Sequence, residues 1–383
     1  MAVHFTDAEF AARKDRVLAE MAERKLDALL MFAPESHYWL SGYDTFGFCF
    51  FQCLVLKSDG ALTLLTRSAD LRQARHTSII DDIRIWIDSA GAQPAHQLRE
   101  MLDDLDLLGC RLGIEYATQG LTAANGRAID EALKTFGNLE DASDIVPRLR
   151  TVKSEAEIAY VRRAGELADE ALDAGLELIG DGADEGEILA AMQGAVFAGG
   201  GDYPGNPFII GSGRDALLCR SKSGRRKLEA SDQITLEFAG VYRMYHVALM
   251  RTVVIGKPSE QHIAMHDAAV RALEASEAAM TAGRTFGDVY AAHATALDGL
   301  GLGRHRLNAC GYSLGTRYAP SWMDMPMFYR DNPEPIVADM VLFAHMILMD
   351  SESGTAMTLG RTYLTGEGAP EPLSRHGVDL LAR

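Results

Sequence analysis

The stretch LEFAGVYRMYHVALMRT, Leu236 to Thr252, decides how this chain is read. It joins two apolar runs, and the spacing predicts strands over 233–239 and 242–255. The first run, ITLEFAG, sets Glu237 among apolar neighbours, where an ionised carboxylate is costly to bury without partners. Alternation places Thr235 and Glu237 on one face of the strand. Glu237 therefore reads either as an outward residue on a half-exposed strand or as a group aimed into a pocket. In the second run His246 and Ala248 share a face, with side chains about 7 Å apart. A histidine of ordinary pKa titrates where acid–base catalysis operates. The competing reading of His246 is a structural imidazole bonded to backbone.

Three further segments carry the same mixture of apolar strand and isolated polar group: ACGYSLGTRYAP (Ala309 to Pro320), MVLFAHMILM (Met340 to Met349) and TAMTLGRTYLT (Thr355 to Thr365). His345 interrupts one buried-looking strand, and an imidazole there needs hydrogen-bond partners. Tyr312 sits in CGYSLG, a glycine-bracketed turn where backbone can approach a ligand closely. Its hydroxyl can meet a substrate carboxylate or a leaving nitrogen, and a core tyrosine is the alternative.

In content and spacing these four segments resemble the creatinase and aminopeptidase P family, the pita-bread hydrolases. The resemblance implies an α+β fold: a small mixed α/β N-terminal domain over 1–150, then a pita-bread domain over 151–383 whose curved antiparallel sheet is covered by helices. Family members that bind two metal ions place Asp, Asp, His, Glu and Glu in these segments, because hard divalent ions want carboxylate oxygens. Here the corresponding positions read Glu237, Ala248, Tyr312, His345 and a fifth near Leu359. One carboxylate, one phenol and one imidazole do not supply a dinuclear centre, so the expectation is a site without metal and without another cofactor.

The domain boundary is also legible from local pattern. Residues 8–149 alternate helical stretches with short apolar runs, among them LDALLMF, CLVLKSDGALTLLTR, IRIWID and RLGIEY, and Ser58-Asp59-Gly60 marks a hairpin turn. Ser154 followed by Glu157 forms a capping box ahead of Ile158, Val161, Ala168 and Leu172, so a long helix opens the second domain. Helices are predicted over 185–198, 260–282 and 286–300, and a strand over 340–349.

Whole-chain properties narrow the class. The chain has 383 residues, enough for two domains with separate cores. Its net charge of −17 argues against nonspecific nucleic-acid binding. No apolar run approaches the roughly 20 residues of a membrane span, so no membrane partner is expected. Charges in MAVHFTDAEFAARKDRV make the first residues an amphipathic helix rather than a signal peptide, and a cytoplasmic location is expected. The five cysteines are odd in number and lack a CxxC pair, so neither a disulfide framework nor a zinc knuckle is suggested.

Other residues complete a candidate small-molecule site. The stretch from Gly199 to Leu228 is rich first in glycine and then in base, with Arg214, Arg220, Lys222, Arg225, Arg226 and Lys227 close together. A guanidinium fork matches a carboxylate, and Arg220 is the preferred clamp. Arg251 reads as support for Glu237, with a surface arginine as the alternative. The combination WLSGYD, GGDYP, EFAG, GYSLG and YAPSW is most similar to the metal-free, ectoine-hydrolase-like branch of the family, and it adds Asp202, Tyr203 and Trp322 as substrate-binding candidates. In the family a loop placed like SGYDTFGFCFF reaches the neighbouring subunit's pocket, which makes Phe46 and Phe48 candidates in a homodimer.

The activity implied is hydrolysis of a non-peptide C–N bond in a small zwitterionic amidine, with Glu237 as nucleophile or general base and His345 and His246 moving protons. Creatinase-like amidinohydrolysis, a metal-dependent Xaa-Pro peptidase and a noncatalytic binding scaffold are the competing readings.

Overall fold

The computed structural model describes residues 3–221 and 223–383, so Lys222 of the basic stretch lies outside the described residues. The chain separates into two compact units, Met1–Arg150 and Thr151–Arg383.

The first unit runs α1 (Asp7–Arg24), β1 (Ala28–Met31), α2 (Pro34–Ser41), β2 (Cys53–Lys57), β3 (Leu62–Arg67), α3 (Leu71–Thr77), β4 (Asp82–Trp86), α4 (Pro94–Asp104), β5 (Arg111–Ile114), α5 (Ala123–Leu133), β6 (Asn138–Asp141) and α6 (Ile145–Leu149). Its sheet has the order β4-β3-β2-β1-β5-β6 and mixes parallel with antiparallel pairs. Alternate residues of β1 feed two cores: Ala28 and Leu30 pack with Leu98 and Ile129, while Leu29 and Met31 pack with Val17 and Trp39. Burial on both faces explains why the strand reads as an unbroken apolar run.

The second unit runs α7 (Glu155–Leu178), α8 (Glu185–Ala198), β7 (Ile209–Ser212), β8 (Asp232–Tyr242), β9 (Tyr245–Ile255), α9 (Glu260–Ala279), α10 (Phe286–Gly299), β10 (Ala309–Ser313), β11 (Asp324–Tyr329), β12 (Val341–Asp350), β13 (Thr355–Leu364), β14 (Glu371–Pro372) and β15 (Leu381–Ala382). The main path of its sheet, β11-β10-β12-β13-β9-β8-β7, is antiparallel throughout. Leu342, Ala344, Met346 and Leu359 turn to the face covered by α9 and α10, where they join Leu273, Val289 and Leu297. The α7 capping box is present in full, Ser154 Oγ accepting from Glu157 N and the Glu157 carboxylate accepting from Ser154 N.

The boundary between β8 and β9 differs from the sequence reading. The strand ranges expected left a gap at 240–241, yet β8 continues through it to Tyr242, and the turn falls at Arg243 and Met244, with φ of 50° and 65°. Two non-glycine residues in the left-handed region are an uncommon way to make a two-residue hairpin. Gly240 serves packing instead. A Cβ at 240 would lie 2.0 Å from the Ala164 carbonyl oxygen, so its absence lets α7 cross against the sheet.

Candidate active site

The sheet's alternation assembles the site. Cross-strand partners share a face, and Glu237 on β8 stands opposite Ile209 on β7 and Met250 on β9. Met250 in turn faces Gly360 on β13, and Gly360 faces His345 on β12. Glu237 and His345 therefore lie on the face turned away from α9 and α10. Tyr312 reaches that face from β10, opposite Phe343. Its ring centroid is 5.7 Å from that of His345 and 5.4 Å from that of Phe343. A cavity of about 590 Å³ opens beside Glu237, with Arg220, Arg225, Phe208, Trp322 and Met323 also among its lining; Tyr312 and His345 are buried on the same sheet face and do not line it. That is a volume suited to a small molecule.

Trp322 Nε1–H donates to the Tyr312 hydroxyl at 2.9 Å. With that acceptor position used, the Tyr312 hydroxyl still has its own proton to donate. The Arg220 guanidinium is exposed, donates from Nη1 to the Cys219 carbonyl at 3.0 Å and lies over Met323, with Nη2 4.0 Å from Sδ.

Burial governs the protonation states. It raises the Glu237 carboxyl to about 7, and the opposing charge of Arg220 restrains the rise. A carboxylate poised there can accept a proton at neutral pH and return it. Burial drives the Tyr312 phenol far above its ordinary value, with Glu237 adding to the effect, so it acts only as a neutral hydroxyl. Burial also takes His345 down to about 3, helped by His293.

Several candidate residues are not brought to the cavity. Arg251 stands opposite Leu359 and Leu236, on the sheet face opposite Glu237, and donates to the carbonyls of Met250, Gly360 and Gly377. It braces backbone rather than the carboxylate. His246 is fully enclosed: Gly205 N donates to Nε2 at 2.9 Å, and Nδ1 lies 3.3 Å from the Gly315 carbonyl. Both ring nitrogens are engaged by backbone and burial lowers the ring to about 4, so the structural reading replaces proton transfer. Asp202 accepts from Met244 N at the hairpin turn, and Tyr203 is 78% exposed with its ring against Phe197. Neither lines the cavity. Phe46 and Phe48 belong to the first unit, where Phe46 is 81% exposed.

The fifth family position was read as near Leu359. Leu359 packs on the helix side, and the residue of β13 that shares the face of His345 is Gly360. A Cβ at 360 would meet the Phe343 ring at 2.7 Å. Thr362 closes the sheet beside Ala248, accepting from Ala248 N at 3.1 Å and donating to Ala248 O at 2.7 Å.

Sequence reading missed Phe208 and passed over Arg225 in favour of Arg220. Arg225 stood in the basic stretch, and its backbone N is fixed by buried Glu185. Nothing in the local pattern marked Phe208.

Comparison with known proteins follows the same frame. Residues 159–367 match the metallopeptidase family M24, and residues 13–152 match the creatinase/prolidase N-terminal domain. The ectoine hydrolase of Halomonas elongata is 27% identical over 360 residues, covering 89% of each chain. A Xaa-Pro dipeptidase of Pyrococcus furiosus is 24% identical over 277 residues, covering 70% of this chain and 73% of its own. Among solved structures, the prolidase of Thermococcus sibiricus superposes with a TM-score of 0.88 at 18% identity, covering 98% of this chain and 99% of its own.

The residues do not fit the metal centre that a metallopeptidase fold implies. Among the described residues no three of His, Cys, Asp and Glu group so as to hold an ion. Alanine, tyrosine and glycine stand at positions 248, 312 and 360, where oxygen and imidazole donors would be needed. The matched frame, with the sheet, the helices and the preceding domain in family order, makes this chain a member of metallopeptidase family M24 with a creatinase/prolidase N-terminal domain.

Proposed function

We propose that the protein is a metal-independent hydrolase that opens a non-peptide C–N bond in a small zwitterionic cyclic amidine, an ectoine-hydrolase-like reaction. The observation that carries this reading is Glu237, a carboxylate held near neutral pKa on the wall of a cavity that no other acidic residue lines among the described residues. An amidinium is already positive and needs no Lewis acid to polarise it, and an acid facing it supplies the complementary charge.

Ionised Glu237 takes a proton from water as the oxygen adds to the amidinium carbon. The protonated carboxyl then returns that proton to the ring nitrogen as its bond to carbon breaks, and the hydroxyl proton passes to the departing amine, leaving an amide and an ammonium group. Arg220 is the partner for the substrate's carboxylate, and Tyr312 donates from its oriented hydroxyl. His345, neutral through burial, acts as a hydrogen-bonding group rather than a charged acid. The similarity to the Halomonas enzyme supports this choice of bond. The same reading carries a cytoplasmic homodimer in which exposed Phe46, with Phe48, reaches across to the neighbouring subunit.

A metal-dependent Xaa-Pro peptidase is the second reading, favoured by the dipeptidase relatives and opposed by the donor set. One experiment separates them. Chelator-treated protein is incubated with ectoine, hydroxyectoine, creatine and a Xaa-Pro dipeptide, and products are followed by mass spectrometry alongside metal analysis. Ring opening in the treated protein, abolished in Glu237→Gln, is expected. Dipeptide cleavage that returns only with stoichiometric manganese, cobalt or zinc would overturn the proposal.

A further inference from the structure

The charges in the cavity wall do not balance for a zwitterion. Among the described residues the lining holds one acid, Glu237, and two guanidinium groups, Arg220 and Arg225. A cyclic amidine with a single carboxylate sets its cation against Glu237 and its anion against one arginine, which leaves the other arginine unanswered. The volume of about 590 Å³ lies in the range that takes ligands of drug size, so there is room for more than one six-membered ring.

The loop that carries Arg225 is built into the fold. Ser223 Oγ accepts from Ile210 N and donates to the Phe208 carbonyl, both at 2.7 Å, which clips the loop along β7. Two residues on, Arg225 N donates to Glu185 Oε2 at 2.9 Å. Glu185 opens α8 and is 2% exposed, and its other oxygen accepts from Ser212 N at 3.0 Å and from Ser212 Oγ at 2.5 Å. The backbone at 223 and 225 is therefore fixed beside Phe208 and Ile209, which line the same cavity.

The guanidinium groups along this loop are used differently. Arg226 commits its own to the protein: Nη1 donates to Ser212 Oγ and to Asp232 Oδ2, each at 2.6 Å, and Nη2 donates to Glu229 Oε1 at 2.9 Å. Arg220 and Arg225 are exposed and meet no carboxylate among the described residues, so both forks keep donors for a ligand. The Arg220 charge acts on Glu237 and on Tyr312, whereas that of Arg225 acts on neither. Arg220 therefore belongs to the reacting end of the cavity, and Arg225 lies farther from it.

We propose that the cavity selects an amidine bearing two acidic groups, with Arg220 binding the carboxylate beside the amidine and Arg225 binding the second anion at the far end of the ligand. Such a compound answers all three charges of the wall, one cation against Glu237 and two anions against the arginines. Arg225 is then the specificity-determining residue, and a ligand with one carboxylate is the weaker one. The bond that breaks rests on the hydrolase reading, whereas the preference in binding does not.

The test is calorimetric titration of the full protein at pH 8, where Glu237 is ionised. The probes are the N-acetimidoyl derivatives of aspartate, glutamate and 2-aminoadipate, each paired with the analogue that has a methyl group in place of the distal carboxylate. At the chain length that spans the two arginines, the diacid is expected to bind about tenfold tighter than its methyl analogue. In Arg225→Gln that ratio is expected to fall to about one. In Arg220→Gln both members of the pair weaken together and the ratio stays. A ratio near one at every chain length, as when both arginines grip a single carboxylate, would overturn the proposal, and so would a ratio that survives in Arg225→Gln. Hydrolysis of neither these amidines nor ectoine, with the ratio present and lost in Arg225→Gln, would count against the hydrolase reading alone.

Discussion

Glu237→Gln exchanges a titrating group for a neutral one of nearly equal shape, and its effect on stability has a definite sign. The folded carboxyl is raised from 4.5 to about 7. Below pH 4.5 it is protonated in folded and unfolded chains alike, and the native state bears no penalty. Between 4.5 and about 7 the unfolded chain releases its proton while the folded chain holds it, so stability falls as pH rises. Above that range the full difference applies, at most about 3 kcal/mol at 1.36 kcal/mol for each unit. Glutamine avoids this cost. Relative to the parent, the variant should gain about 1 kcal/mol near pH 5 and about 3 kcal/mol near pH 8, while losing turnover. Urea unfolding at both pH values measures this, read as a change in midpoint at constant slope. An equal gain at both values, or a loss at the higher one, would refute the assignment of Glu237 as a carboxyl destabilised by burial.

Arg220→Gln should raise KM about tenfold through loss of a charged clamp, and should move the pH profile of kcat/KM to higher pH because Glu237 loses the cation that opposes burial; an unmoved profile would separate Arg220 from Glu237. Trp322→Phe combined with Tyr312→Phe should reveal a coupling of about 1 kcal/mol for the 2.9 Å bond between them, and additive losses would mean that the bond does not orient the phenol. Gly240→Ala should cost about 3 kcal/mol, seen as a lowered melting temperature, because α7 has to retreat from the new methyl group; a loss under about 1 kcal/mol would show that the helix yields easily.

Local chemistry made much of this molecule readable. The Ser154 and Glu157 capping box placed α7 because a helix start satisfies its own backbone donors with nearby side chains. The isolated acid in ITLEFAG marked the cavity because its cost in an apolar strand demanded a reason. What failed depended on contacts between distant segments. His246 and Arg251 are polar residues in strands, as Glu237 is, but their partners are backbone groups of 205, 315, 360 and 377, which strand alternation alone does not identify. Gly240 fell in the gap left between the two expected strands, whereas the approach of α7 is what requires a glycine there. The fifth family position was read only as near Leu359, and in a strand one position changes the face.

The contact between Gly360 and Phe343 makes the order of substitutions matter. A side chain added at 360 strikes the aromatic ring before it reaches the cavity, so a carboxylate there becomes tolerable only after residue 343 has shrunk. Shrinking 343 first opens a void under Tyr312 and His345. Each single step is unfavourable while the pair together is compatible, which is sign epistasis built from one van der Waals contact. Evolutionary traffic between this pocket and one bearing an acid on β13 has to cross that valley in either direction.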